Sequence, residues 1–165
     1  MNLTSQFAAA VTLRAATPAD QSFLLTVFAG TRTDELAALN WDPAQSKLFI
    51  QMQFSAQQQS YAARYPAATN SIILIGGQPI GRMLVNRTEE TIELVDIALL
   101  AEYRSSGTGS FLIRGLMDEA VASRKSVQLS VYKLNPAVRL YERLGFSPIV
   151  DDGVYSDMMW APADL

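Results

Sequence analysis

The stretch Arg104-Ser-Ser-Gly-Thr-Gly109 combines residue types that bind an anion through the main chain. It follows an apolar, strand-like run from Ile92 to Leu100 and opens a helix-like run. The first turn of a helix has N–H groups without internal acceptors, and the helix dipole adds to their attraction for a phosphate. The two glycines would let phosphate oxygens approach the main chain, and the arginine would add charge. The alternative is a Ser/Gly-rich turn that only caps a helix.

The spacing of the glycines narrows the kind of anion. The stretch is neither Gly-x-Gly-x-x-Gly nor a Walker loop, since no Gly-Lys-Ser/Thr follows it. Nicotinamide dinucleotides and nucleoside triphosphates therefore lose support as ligands. A pyrophosphate carried by another molecule remains.

The residue types that the chain lacks restrict its chemistry. There is no cysteine and no histidine, so no disulfide, thiolate nucleophile or Cys-based metal site is available, and the commonest general base is missing. Proton transfer must use carboxylates, tyrosines, lysines or water. No metal site is predicted.

Charge and hydropathy limit the partners. The net charge is -3 and no Lys/Arg cluster occurs, which argues against nucleic acid and mildly favours a cationic partner. No apolar run approaches the roughly 20 residues of a membrane-spanning helix. The N-terminal stretch, residues 1–10, has no basic residue, so we expect no secretory signal and a cytoplasmic location.

One α/β domain, residues 1–165, is predicted around the turn, because the length suits a single domain with a real core. Capping side chains before prolines at Thr17-Pro18 and Asp42-Pro43 indicate helix starts, and Gly145 indicates a helix end. The expected strands are residues 11–15, 70–75, 78–86, 91–100, 127–132, 147–151 and 154–160, and the expected helices are residues 18–30, 33–36, 43–65, 136–144 and a run from the glycine turn to residue 123.

The connections between these elements predict a mixed sheet. Gly76-Gly77 and Asp152-Gly153 are hairpin turns that join antiparallel strands. The strand at residues 91–100 reaches the strand at residues 127–132 through a helix, and such a crossover implies a parallel pair.

Two motifs in this arrangement resemble the GNAT superfamily of acyl-CoA N-acyltransferases. The family's Arg/Gln-x-x-Gly-x-Gly/Ala signature lies at a strand-to-helix turn, where Arg104 to Gly109 matches it. Its looser Asn-x-x-Ala-x-x-x-Tyr-x-x-x-Gly-Phe helix is similar to the run from Asn135 to Phe146, with Ala137 one step early for some branches. Ser105 is a departure, because many members have glycine there.

The resemblance, which covers residues 11–161, implies a fold and a cosubstrate. The fold would have a mixed central sheet of about six to seven strands, splayed between the fourth and fifth, with about four flanking helices. Acetyl-CoA would be held without a metal. Its pyrophosphate would bind the amides of the turn, its pantetheine arm would pair with the main chain at the end of the fourth strand, and an asparagine side chain would touch that arm. The residues concerned are Arg104, Ser105, Ser106, Gly107, Thr108, Gly109 and Ser110 for the pyrophosphate, and Ile97, Ala98, Leu99 and Asn135 for the arm.

The resemblance also implies catalytic residues for N-acetylation. Tyr141 matches the tyrosine that many members use as general acid near the sulfur; the alternative is a tyrosine packed in the core. A lysine-like amine costs about 4 to 5 kcal/mol to deprotonate at pH 7, so a base or a desolvated site is needed. Glu93, eleven residues before Arg104, is the positional match for a base. Asp96 is its rival and would point to the opposite face of an ideal strand; ordered water is the third option.

The segment from residue 31 to 66 would contribute the acceptor site. Asp34 and Glu35 would attract a cationic amine. An apolar wall would be lined by Trp41, Phe54, Tyr61 and Tyr65, unless these aromatic residues belong to the core. The expected activity is transfer of the acetyl group of acetyl-CoA to a primary amine of a small molecule or peptide, by direct attack in a ternary complex. The alternatives are a non-catalytic acyl-CoA-binding sensor or partner module, and a small protein-binding domain. The oligomeric state, including a homodimer, stays open.

Overall fold

The strands and helices follow one another in the predicted order. The computed structural model describes residues 10–165, so the N-terminal stretch used for the signal prediction lies outside the described residues except for its last residue. The strands are β1 (Val11–Ala15), β2 (Thr69–Ile75), β3 (Gln78–Arg87), β4 (Thr91–Leu99), β5 (Ser126–Tyr132), β6 (Ser147–Asp151) and β7 (Tyr155–Trp160). The helices are α1 (Gln21–Gly30), α2 (Thr33–Leu39), α3 (Pro43–Arg64), α4 (Thr108–Ser123) and α5 (Ala137–Arg143), with short 3-10 turns at Pro18–Asp20 and Ala101–Tyr103.

The described strands form one mixed sheet of seven strands in the order β1-β2-β3-β4-β5-β7-β6. The pair β4–β5 is parallel, whereas β1–β2, β5–β7 and β6–β7 are antiparallel. The predicted mixed sheet and its parallel pair are therefore confirmed. No helix in residues 10–165 is long and apolar enough to cross a membrane.

Contacts divide the chain into two units. Of the described residues, the first unit contains residues 10–83 and 98–103, and the second contains residues 84–97 and 104–165. Strands β3 and β4 each contribute residues to both units. The prediction of a single domain stays a prediction.

The first unit has a helix-on-sheet core, and an ion pair lies just before α1. Phe28 of α1 packs against Phe54 of α3 with ring centroids 5.6 Å apart, in a buried cluster that includes Ile72 of β2. Phe54 is therefore a core residue. At the start of α1, Arg14 donates two hydrogen bonds of 2.8 Å to Asp20. These bonds, with the Thr17 amide, hold the pKa of Asp20 well below its ordinary range.

The second unit packs α4 on β5. The buried side chains of α4 are Leu112, Ile113, Leu116 and Ala120, which recur at helical spacing. Arg87 at the end of β3 donates two hydrogen bonds to Glu119 of α4, at 2.6 and 2.9 Å. Just after α4, Lys125 Nζ donates to the Thr88 carbonyl at 2.6 Å.

Strand β6 is the edge strand of the second unit. It is exposed along its whole length, and Val150 is 57% exposed. The pairing with β7 is irregular between Pro148 and Val150, where a bulge interrupts the register.

Candidate active site

The predicted anion turn has the backbone that a main-chain anion site needs. Ser105 and Gly107 have left-handed conformations, with φ of +56° and +89°, and Gly107 is the N-cap of α4. The first hydrogen bond of the helix runs from the Phe111 N–H to the Gly107 carbonyl at 3.0 Å. The amides of Thr108, Gly109 and Ser110 come before this bond and therefore face out of the helix N-terminus.

One side chain in the turn is structural. Thr108 has no exposed surface, and its hydroxyl lies 3.0 Å from the hydroxyl of Ser106. This hydrogen bond closes the turn from inside. The side chain of Thr108 is therefore not available to a ligand, while Arg104 and Ser105 are exposed.

Strands β4 and β5 separate beside this turn. Their parallel pairing runs from Thr91–Ser126 to Leu94–Leu129 and ends there, although β4 continues to Leu99 and β5 to Tyr132. Ile97, Ala98 and Leu99 follow the last β4 residue that is in register with β5, and the main-chain contacts to the pantetheine arm were predicted for them. The expected splay between the fourth and fifth strands is present.

The register of the second unit gives the sheet two different faces. Ile92, Val127 and Trp160 are aligned across β4, β5 and β7, and the first two have no exposed surface. Glu93, Gln128 and Met159 are the next aligned row and point the other way. Gln128 Nε2 lies 3.7 Å from Met159 Sδ. We call this second side the open face; its residues are Glu93, Gln128, Ser130, Tyr132, Tyr155, Asp157 and Met159.

Tyr141 belongs to the opposite, buried side. A Cβ at Gly145, just after α5, would lie 3.3 Å from Cδ1 of Trp160, which places the end of α5 over the buried face. A Cβ at Gly109 would lie 3.9 Å from Cδ2 of Leu140, so the helix of Tyr141 also reaches the anion turn. Tyr141 is 7% exposed, and its ring centroid is 5.9 Å from that of Phe146.

Burial raises the pKa of Tyr141 to about 12, and the negative charge of Asp96 contributes to the increase. The phenol is thus neutral at every pH near 7 and carries a proton that it can donate. Alternation along β4 puts Asp96 on the side of Ile92 and Leu94, which agrees with its effect on Tyr141. Glu93 lies on the open face, so the two carboxylates are on opposite sides of the sheet.

Asn135 shapes the start of α5. Its side-chain oxygen accepts a hydrogen bond of 2.9 Å from the Ala137 N–H, and its own N–H donates to the Tyr132 carbonyl at 2.8 Å. The Asn135 side chain therefore closes a turn just before α5, whose N-cap is Pro136. This hydrogen bond does not use the side-chain nitrogen of Asn135, which is a donor.

The predicted acceptor residues lie on α2 in the first unit. Asp34 and Glu35 are exposed in the first turn of this helix, and Glu35 Oε2 is 3.4 Å from Nη1 of Arg32. Trp41 is 42% exposed and makes an edge-to-face contact with Phe49 at 5.0 Å. The role of these residues in acceptor binding stays a prediction.

Sequence reasoning missed Gly81 in β3. A Cβ at this position would collide with the Ala98 carbonyl and lie 2.8 Å from Cδ2 of Leu99. Only glycine lets β3 approach the end of β4 so closely. A glycine inside an otherwise apolar strand is the signal that would have found it.

Among residues 10–165, no three His, Cys, Asp or Glu side chains cluster in a way that would hold a metal ion. That the protein uses no metal stays a prediction. The anion turn, the separating strands β4 and β5 and the helix of Tyr141 are the features of the site to compare with known proteins.

The model of the Acetyltransferase (GNAT) family matches residues 33–146, more than half of the chain. The chain belongs to this family, as the two motifs predicted. None of the curated proteins compared with the sequence matches it.

Solved structures of acetyltransferases share the fold. The PaiA N-acetyltransferase of Thermoplasma acidophilum, in complex with coenzyme A, is 15% identical with a TM-score of 0.69, over 92% of this chain and 99% of that one. A structure from Corynebacterium glutamicum, described as histone acetyltransferase HPA2 and related acetyltransferase, is 22% identical with a TM-score of 0.66, over 93% and 97%. An acetyltransferase from Thermus thermophilus is 16% identical with a TM-score of 0.67, over 93% and 97%. At these identities the likeness shows the fold alone.

Proposed function

We propose that the protein transfers the acetyl group of acetyl-CoA directly to a primary amine of a small molecule or peptide in a ternary complex. The observation that carries the proposal is the meeting of the anion turn, the end of β4–β5 pairing and the Tyr141 helix in one unit, with Leu140 reaching Gly109. Family membership and the coenzyme A in the PaiA structure support it.

The residues fit coenzyme A. The outward amides at the start of α4 would hold the pyrophosphate, with Arg104 adding positive charge. An extended pantetheine arm would run along β4 at Ile97, Ala98 and Leu99, beyond the end of its pairing with β5, and Asn135 has a side-chain donor. Acetyl-CoA supplies the activated thioester.

The two proton transfers of the reaction are assigned to residues on opposite faces of the sheet. In the transfer, an N–C bond forms and the C–S bond breaks, while the amine loses a proton and the sulfur gains one. Glu93 on the open face would take the proton of the amine, directly or through water. Tyr141 on the other side holds a proton on Oη that it can donate toward the sulfur. Asp34 and Glu35 would attract the cationic amine before it reacts.

A second function, acyl-CoA binding without efficient transfer, is favoured by one observation. A phenol with a pKa of about 12 is a weaker acid than an ordinary tyrosine, and Tyr141 is nearly buried. A tyrosine that is only a core residue would have the same properties.

A single set of assays separates the two functions. The protein is incubated with acetyl-CoA and a panel of amines, and released thiol is measured while coenzyme A binding is followed by calorimetry. For the transferase we expect thiol release with at least one amine, a loss of roughly 100-fold or more in turnover in Tyr141→Phe with unchanged binding, and loss of binding in Gly109→Trp. Tight binding without thiol release from any amine would support the sensor. Undiminished coenzyme A binding by Gly109→Trp would refute the site.

A further inference from the structure

The open face carries a second carboxylate that the proposed chemistry does not use. Asp157 of β7 is aligned with Ser130 of β5 on one side and with Val150 of β6 on the other. Neither neighbour can neutralise a negative charge. Lys133 is engaged by Asp151, with Nζ 2.7 Å from Oδ2. Within residues 10–165, no side chain forms an ion pair with Asp157.

Two aromatic rings stand next to this carboxylate. Tyr132 and Tyr155 form the next row on the open face and meet edge to face, with centroids 5.8 Å apart. They are 45% and 50% exposed, whereas Leu129 and Met158 on the other side are 4% and 1% exposed. A carboxylate beside accessible aromatic rings is the combination that binds an ammonium group, through charge and through the ring faces.

The distance between the carboxylates of Glu93 and Asp157 on the open face determines how long a ligand must be to reach both. Glu93 and Asp157 are two strands apart and offset by one two-residue step along the strand. At ordinary strand spacings this separates their Cα atoms by roughly 12 Å. Ser130, between the two positions on β5, is small and exposed, so an extended chain can pass over it.

We propose that the acceptor is a linear amine with a second cationic group, whose distal ammonium binds Asp157 beside Tyr132 and Tyr155 while the reacting nitrogen lies near Glu93. This inference rests on the proposed transfer for the position of the reacting nitrogen. Binding of the distal ammonium rests only on the open face, so the two are tested separately.

The experiment measures binding of two probes to the protein in complex with coenzyme A. The probes are 1,8-diaminooctane, whose extended length suits the two carboxylates, and octylamine, which lacks the distal ammonium. Three proteins are compared by calorimetry: wild type, Asp157→Asn and the control Asp118→Asn. Asp118 is an exposed carboxylate of α4, so its replacement changes the net charge equally without touching the open face.

We expect wild type to bind the diamine more tightly than octylamine, and Asp157→Asn to weaken diamine binding about tenfold, the effect of losing one charge-assisted contact at a half-exposed site. Octylamine binding and the Asp118→Asn protein should be unchanged. Equal binding of the two probes by wild type, or equal losses in both variants, would overturn the proposal. Binding with this pattern but no thiol release from any amine of the panel would instead refute the proposed transfer.

Discussion

At the scale of single residues, the anion turn contains two left-handed positions, of which only Gly107 is glycine. Ser105 adopts φ of +56°, a conformation that costs an L-residue about 1 to 2 kcal/mol. The serine at this position, which departs from the family motif, therefore keeps the glycine-like backbone at an energetic cost. The turn geometry is retained although the residue type differs.

Paired substitutions at the turn test this interpretation. Gly107→Ala should lower the free energy of unfolding by about 1 to 2 kcal/mol, because the added Cβ meets no atom within 4 Å and only the backbone is strained. Ser105→Gly should raise it by roughly 0.5 kcal/mol, since relief of strain exceeds the extra entropy of glycine in the unfolded chain. Urea denaturation measures both. A stable Gly107→Ala protein would show that the turn is not held at this φ.

Tyr141 predicts an alkaline loss of stability. Below pH 10 the phenol is neutral in the folded and the unfolded chain. Between the ordinary pKa of 10.0 and the folded value of about 12, only the unfolded chain ionises, so stability falls as pH rises. Between pH 9 and pH 11 this loss should be about 1 kcal/mol.

The loss is measured as the change in unfolding free energy of wild type relative to Tyr141→Phe, which has no phenol to ionise. Asp96→Asn should show a smaller loss than wild type, because removing the nearby charge lowers the pKa of Tyr141. Parallel pH curves for wild type and Tyr141→Phe would contradict the raised pKa.

At the scale of elements, the end of β4 depends on β3. The close approach at Gly81 positions the main chain of Ala98 and Leu99, which we assign to the pantetheine arm. Leu100 N–H also donates to the Ile80 carbonyl at 2.8 Å, so this end of β4 is held by β3 although its pairing with β5 has ended.

Gly81→Ala should therefore affect stability and cofactor binding together. The collision with the Ala98 carbonyl should cost about 1 to 3 kcal/mol of stability and weaken coenzyme A binding. Gly115→Ala on α4 is the matched control: its Cβ meets no atom within 4 Å, and alanine should stabilise the helix by about 0.5 to 1 kcal/mol. Thermal unfolding and calorimetry measure both variants. Normal coenzyme A binding by a destabilised Gly81→Ala protein would show that the contact with β3 does not position the cofactor site.

At the scale of the whole molecule, the features that could be predicted from the sequence are those set by residues close together in the chain. The Asp42-Pro43 start of α3 is such a signal, because Asp42 Oδ1 accepts from the Gln45 N–H at 2.9 Å within three residues. The opposite faces of Glu93 and Asp96 also follow from local alternation. The alignment of Ser130 with Asp157 could not be predicted in this way, because it depends on the register between strands that are distant in the chain. The close approach of Gly81 to Ala98 could not be predicted for the same reason.

The irregular edge at β6 has a consequence for the behaviour of the protein in concentrated solution. A growing fibril adds strands by forming an unbroken ladder of hydrogen bonds along an exposed edge. Pro148 has no N–H to contribute, and the bulge before Val150 shifts the remaining groups out of step. The exposed strand β6 is therefore a poor template for the addition of a further strand, although its apolar side chains face solvent.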